Sequence, residues 1–156
     1  MYGVQFFPFC HSFDLWKCKI HRKSTTYFIN ETVVARDCRI LYIISGSGSF
    51  ECGGERIALV PNTLVYYPYE REYQISSEDG MLFYTVNFDF TQEHTGVVVM
   101  TPLPANSRQS KEGLHSIPDE LSSVFGEVIS FENALWAEND IHHIYTETLN
   151  QNSGYT

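Results

Sequence analysis

Metal or nucleophile chemistry in this chain would draw first on six histidines, at positions 11, 21, 94, 115, 142 and 143, and four cysteines, at 10, 18, 38 and 52. The cysteines form no CxxC pair and have no histidine-rich neighbourhood, which matches neither a zinc knuckle nor a disulfide framework. His142 and His143 are adjacent, but in a helix neighbouring side chains diverge by about 100° and do not converge on one ion. No metal site is expected. Nucleophile motifs are also missing: there is no Gly-x-Ser-x-Gly, no HExxH, and no cysteine in a nucleophile's sequence context. The paired carboxylates, Glu70 with Glu72 and Glu78 with Asp79, fall on short strands and turns, where acidic pairs face solvent. Binding is therefore favoured over catalysis, and no cofactor is expected.

One stretch invites a phosphate. In IISGSGSFECGG, residues 43–54, an apolar run is cut by Gly46-Ser47-Gly48 and again by Gly53-Gly54. A phosphate-cradling loop must lead into a helix whose N-terminus faces the anion, whereas Gly48 leads into SFEC, a strand. The glycines are read as turns. Gly46-Ser47-Gly48 reverses one strand into the next, and Gly53-Gly54 supplies the positive φ angles of a two-residue hairpin.

Charge narrows the partners further. The net charge is −9 with only four Lys and six Arg, and the sequence pI is about 5.0. Nucleic-acid binding rests on clustered basic residues, and the one cluster, Lys17 to Lys23, reads as a solvated strand or loop. No stretch approaches the roughly 20 apolar residues of a membrane helix, and the N-terminus lacks a charged leader region. A soluble, cytoplasmic chain is expected, with Asn30-Glu31-Thr32 a chance sequon. At 156 residues it fits one domain that buries about 70% of its unfolded surface.

The elements that must position any site are mainly strands. Short apolar or alternating runs between turn residues fill about 26–100: TYFINETVV, CRILYIIS, SFEC, ERIAL, TLVYY, EYQIS, MLFYTVNFDF and GVVVM. These predict an antiparallel sandwich or barrel. TPLPANSRQSKEG, within a loop over 101–115, leaves the sheet. Two helices follow over 116–156. Ser116 to Asp119 offers a capping box, Leu121, Val124, Phe125, Val128 and Ile129 form one helical stripe, and Leu135, Trp136, Ile141, Ile144, Tyr145 and Leu149 a second. The stripes pack on the barrel or mediate self-association.

Strands first and helices last, with LYIISGSGSFECGGERIALVPNTLVYYPYEREYQI and MLFYTVNF between, resembles the N-terminal sensing domain of AraC-type bacterial transcription regulators. That family carries a strand ending in Gly-x-Gly, a short hairpin, a strand near Leu-x-Pro-Gly-Asp-hydrophobic, a Pro-rich turn and a late strand ending in Phe. Gly46, Gly48, Leu59 to Leu64, Pro68 and Phe88 match it. Asn62-Thr63 departs from Gly-Asp, and Glu72 stands where His is common.

The resemblance implies a cupin-like antiparallel β-barrel or jelly roll over 26–100, an N-terminal arm and first strand over 1–25, and C-terminal dimer helices. Two helix-turn-helix motifs would lie beyond Thr156, so DNA is reached only through them. Metal-binding relatives use His, His and Glu, but Thr32 to Arg36 holds no His, and Arg39 stands near that Glu.

Ligand-facing positions are then Glu31, Arg39, Glu72 and Gln74, with Phe83, Thr85 and Asn87 on the second face of the late strand, opposite an apolar face of Leu82, Tyr84, Val86, Phe88 and Phe90. A buried Arg39 needs a partner, and Glu72 is one candidate. Phe7, Pro8 and Phe9 are core or an arm over an occupied, hollow barrel. Leu121, Val124, Phe125 and Val128 are the candidate dimer contacts. The implied function is sensing of a small molecule, a sugar or polyol, by a homodimeric regulator. Two alternatives stand beside it: a metal-independent sugar isomerase or epimerase, and a dimerisation module with a filled barrel.

Overall fold

The computed structural model describes residues 19–25, 28–29, 31–35, 37–88, 90, 102–106, 117 and 119–154. The strands are β1 (Lys19–Thr25), β2 (Phe28–Ile29), β3 (Val33–Val34), β4 (Cys38–Gly46), β5 (Gly48–Cys52), β6 (Glu55–Leu59), β7 (Leu64–Tyr67), β8 (Glu72–Ser77), β9 (Met81–Phe88), β10 (Leu103–Pro104) and β11 (Ile129–Phe131). The helices are α1 (Asp119–Phe125) and α2 (Leu135–Gly154). The arm residues Phe7, Pro8 and Phe9 and the run GVVVM lie outside the described residues, as do Ser116 and Pro118 of the expected capping box.

Pairing is antiparallel and nested. β5 pairs with β6, β4 with β7, β3 with β8 and β1 with β9. The chain is thus one long hairpin whose tip is Gly53-Gly54, with φ of +60° and +84° as a two-residue hairpin turn requires. Wrapping that hairpin gives two sheets, β1-β9-β4-β7-β11 and β10-β3-β8-β5-β6, with β2 on β8. This is jelly-roll topology. The two sheets face each other as a sandwich and do not close into a barrel. The basic segment Lys19–Thr25 is an edge strand of the first sheet, and the expected run 26–34 is split between β2 and β3.

Gly46-Ser47-Gly48 serves a different turn from the one expected. β4 belongs to the first sheet and β5 to the second, so these residues carry the chain across the sandwich instead of reversing it within one sheet. Space forces glycine there. Gly46 has φ of +84°, and a Cβ on it would stand against the Gly80 carbonyl and 2.7 Å from Met81 Cα. A Cβ on Gly48 would meet the Ser76 carbonyl.

Both faces of the first sheet are buried. Its inner face sends Leu41, Ile43, Val65, Met81 and Phe83 against Val33, Phe50, Leu59, Tyr73 and Ile75 of the second sheet. The interior between the sheets is packed at this level, where a hollow vessel was expected: Phe50, Tyr67 and Tyr73 stand with ring centroids 4.7 to 5.7 Å apart. Each such ring pair adds about 0.5–1.5 kcal/mol beyond its buried area. The outer face presents Tyr42, Leu64, Tyr84 and Val86 to α2, which answers with Ala137, Ile141, Ile144 and Tyr145, preceded by Ala134. Leu135, Trp136 and Leu149 face outward.

The first helical stripe is broken. α1 stops at Phe125, Gly126 N–H closes on the Ser122 carbonyl at 2.9 Å, and Ile129 enters β11, paired with Tyr66 of β7. Phe125 packs edge-on against Tyr66, and Val128 packs against the inner core, so these two proposed dimer contacts are used within the chain. Val124 remains exposed and Leu121 half-buried.

Gly46→Ala is expected to lose roughly 1–3 kcal/mol, because it adds both a backbone clash and a strained φ. Gly53→Asn, at an open turn whose conformation Asn tolerates, stays within about 1 kcal/mol of the parent. Urea midpoints at constant slope measure both; equal losses would refute the crossing-point assignment.

Candidate functional site

Strand alternation decides what faces the interior at one end of the sandwich. On β4, Arg39 has the parity of Leu41 and Ile43, and Asp37, two residues earlier, shares it. Arg39 lies opposite Asn87 on β9 and opposite Tyr67 on β7. Thr85 and Phe83 follow Asn87 on the same face. The backbone thus brings one cation, one anion, an amide and a phenol together.

The side chains join into one network. Arg39 Nε donates to Asp37 Oδ1 at 2.6 Å, and Asn87 Nδ2 donates to Asp37 Oδ2 at 3.0 Å. The Tyr73 hydroxyl, from the opposite sheet, accepts from Tyr67 and from Arg39. Asp37, Arg39 and Asn87 are only 8%, 5% and 5% exposed. Among the described residues, Asn87 Oδ1 is the buried side-chain oxygen or nitrogen that has no hydrogen-bond partner.

Burial also sets the electrostatics. It pushes the Asp37 carboxyl above the usual value, while the Arg39 guanidinium, and then the Asn87 amide, pull it back. The Tyr67 and Tyr73 phenols are pushed up by loss of water and stay neutral hydrogen-bonding groups. Tyr66, on the outer face, is raised by burial and by its bond to Cys38 Sγ.

The structure gathers Arg39, Phe83, Thr85 and Asn87 in the interior and leaves the other expected positions elsewhere. Glu31 is exposed ahead of β3. Tyr73 and Ile75 take the inward parity of β8, so exposed Glu72 and half-buried Gln74 sit on the outer face of the second sheet. There they line an open groove of about 830 Å³ together with Glu51, Arg56 and Arg71. Glu72 is not the partner of Arg39; Asp37 is. The signal for Asp37 is present as Asp-x-Arg, an i, i+2 pair that strand parity puts on one face. Tyr67 and Tyr73 give no comparable local signal, since only the pairing of distant strands brings them to Arg39. Among the described residues, no group of three His, Cys, Asp or Glu converges as a metal site.

No protein-family model matches the chain, and no curated protein matches it. Solved structures of similar shape include a cupin superfamily protein from Desulfitobacterium hafniense, 14% identical, covering 46% of this chain and 67% of that one, with a TM-score of 0.44. A DMSP lyase from Ruegeria pomeroyi is 12% identical over 56% of this chain and 43% of its own, at 0.46. A cupin protein from Bacteroides fragilis is 18% identical over 55% and 80%, at 0.40. Likeness at this level says nothing of function, and the jelly-roll assignment stands on the strand order itself. No helix among the described residues is long and apolar enough to cross a membrane.

Arg39→Met removes the largest influence holding the Asp37 carboxyl down, and the carboxyl rises further. A carboxyl whose folded value exceeds its unfolded one stabilises the fold at low pH, and that contribution is lost as pH climbs through the folded value. The urea midpoint of Arg39→Met is therefore expected to fall as pH rises above the ordinary carboxylate range, reaching a deficit of about 3–5 kcal/mol. Adding Asp37→Leu removes the stranded charge and should restore most of the loss and flatten the pH dependence. A single variant as flat with pH as the double would show that Asp37 is not held by Arg39.

Proposed function

We propose that this chain is the effector-sensing and dimerisation domain of an AraC-type transcription regulator, acting on DNA through a separate DNA-binding domain. Its ligand is a small polyhydroxy compound held at the Asp37, Arg39 and Asn87 end of the sandwich. The observation that carries this reading is the buried network itself: an ion pair and an amide placed inside an apolar sandwich, with one polar atom still open. Small β-folds hold a single ligand at such an end, with aromatic walls and a few polar groups that fix its orientation.

The route outward is short. Asp37 and Arg39 face the interior, and Cys38 between them faces the other way, where its Sγ lies 3.5 Å from the Tyr66 hydroxyl. That hydroxyl donates its hydrogen to the Phe125 carbonyl at the end of α1, at 2.8 Å. A ligand that shifts the backbone at 37–39 therefore biases the seating of α1, and only differential affinity for the two seatings can produce a response. Binding is favoured over turnover because Asp37 is the buried carboxylate among the described residues and both its oxygens are engaged. Tyr67 and Tyr73 are held neutral, far from the ionisation that acid and base roles at neutral pH require.

One observation favours a second reading. Phe50, Tyr67, Tyr73 and Phe83 fill the middle of the interior, as a ligand-free dimerisation module would have them.

Thermal-shift titration with neutral aldoses and alditols decides between them. At about 100 times Kd a ligand of the folded state adds about 2.7 kcal/mol, a rise of a few degrees for a domain of this size. No shift with any member leaves the filled module, and turnover of a sugar in a coupled assay would overturn the sensor in favour of an enzyme.

A further inference from the structure

Resting on the ligand-binding reading above, we propose that Asn87 selects the ligand: its Oδ1 receives the hydrogen of an uncharged hydroxyl, and the site rejects the acid of the same carbon skeleton. The amide cannot be turned to satisfy itself. Its Nδ2 is committed to Asp37 Oδ2 at 3.0 Å, so the oxygen points away from the carboxylate and keeps its place on the inner face of β9. At 5% exposure the residue is buried, and the oxygen has no protein donor. A group buried in that condition is stabilised by any ligand that supplies the missing hydrogen, and an analogue that lacks it leaves the oxygen orphaned.

Charge excludes the obvious competitor. A lone buried arginine would call for an anion, but the Arg39 guanidinium already meets Asp37 at 2.6 Å. A carboxylate entering here would bring oxygen lone pairs toward Asn87 Oδ1 and the Asp37 carboxylate, both acceptors. It would find repulsion where the hydroxyl finds a partner. Ligand acidity is therefore a sharper discriminator than ligand size, and the chemical class is the neutral polyol.

The test uses the full chain, unaltered, in calorimetric titrations against aldopentoses, aldohexoses, their alditols, the matching aldonic acids, and each single-deoxy analogue of the tightest neutral binder. The expected result is binding of a neutral member, with its aldonic acid and one deoxy analogue weaker by about 10-fold or more. Asn87→Leu should lose that discrimination, binding parent and deoxy analogue within about 2-fold; the deoxy series on the unaltered chain stands even if that variant fails to fold. An aldonic acid that binds as well as its neutral parent overturns the assignment while leaving the ligand-binding reading in place, as does a series in which every deoxy analogue binds equally. Failure of every compound to bind overturns the ligand-binding reading itself.

Discussion

A guanidinium and a carboxylate held 2.6 Å apart in a sandwich interior constrain everything around them. Withdrawing the two ions from water costs several kcal/mol each, which mutual attraction offsets only in good geometry with the remaining donors and acceptors engaged. That requirement reaches across the fold. Asn87 comes from the neighbouring strand on one side, Tyr67 from the other, and Tyr73 from the opposite sheet. A one-residue slip of β4 would turn Arg39 outward and swing Tyr42 inward. The pair therefore fixes register as well as charge.

The outer face of the same sheet supplies a second constraint. Tyr42 donates to Asn62 Oδ1 at 3.0 Å, and the Asn62 carbonyl accepts from Ala134 N–H at 2.7 Å, just where α2 begins. Tyr84 meets His142 Nδ1 at 3.1 Å further along that helix. Arg71 reaches the Gly126 carbonyl and the Glu127 carboxylate, tying the turn after β7 to the segment between α1 and β11. The polar groups thus set the helical layer at points, while Ala137, Ile141 and Ile144 fill the space between them.

Local chemistry is legible in the sequence where it decides the outcome alone. Gly53-Gly54 can only be a tight turn, and the alternation in Met81 to Phe88 sorts Phe83, Thr85 and Asn87 from Tyr84 and Val86. It does not say what covers each side, because a sheet buried on both faces shows apolar residues at both parities. Non-local facts are hidden. Gly46 to Gly48 has the residues of a reversal whether the next strand joins the same sheet or the other. Glu72 and Gln74 fall one residue out of phase with the interior, since Tyr73 and Ile75 are the inward pair. The stripe from Leu121 to Ile129 fits a helix, but Gly126 ends it, and pairing with β7 captures Ile129. Asp37 is easily passed over because it precedes the strand proper, although the alternation extends to it.

The polar network is also informative in what it leaves incomplete. A network kept only to specify the fold is strongest when every member is satisfied, and here the Asn87 oxygen, opposite Arg39, is not. The observed amide fills only half of a structural role, donating to Asp37 while its acceptor stays bare. A serine or a lysine could also donate there. The part that stability does not explain is the oxygen, fixed in direction by the bond its own nitrogen makes and buried beside a charge pair that is already neutral. An interior arranged this way is complete as a fold except for one buried acceptor that lacks its hydrogen.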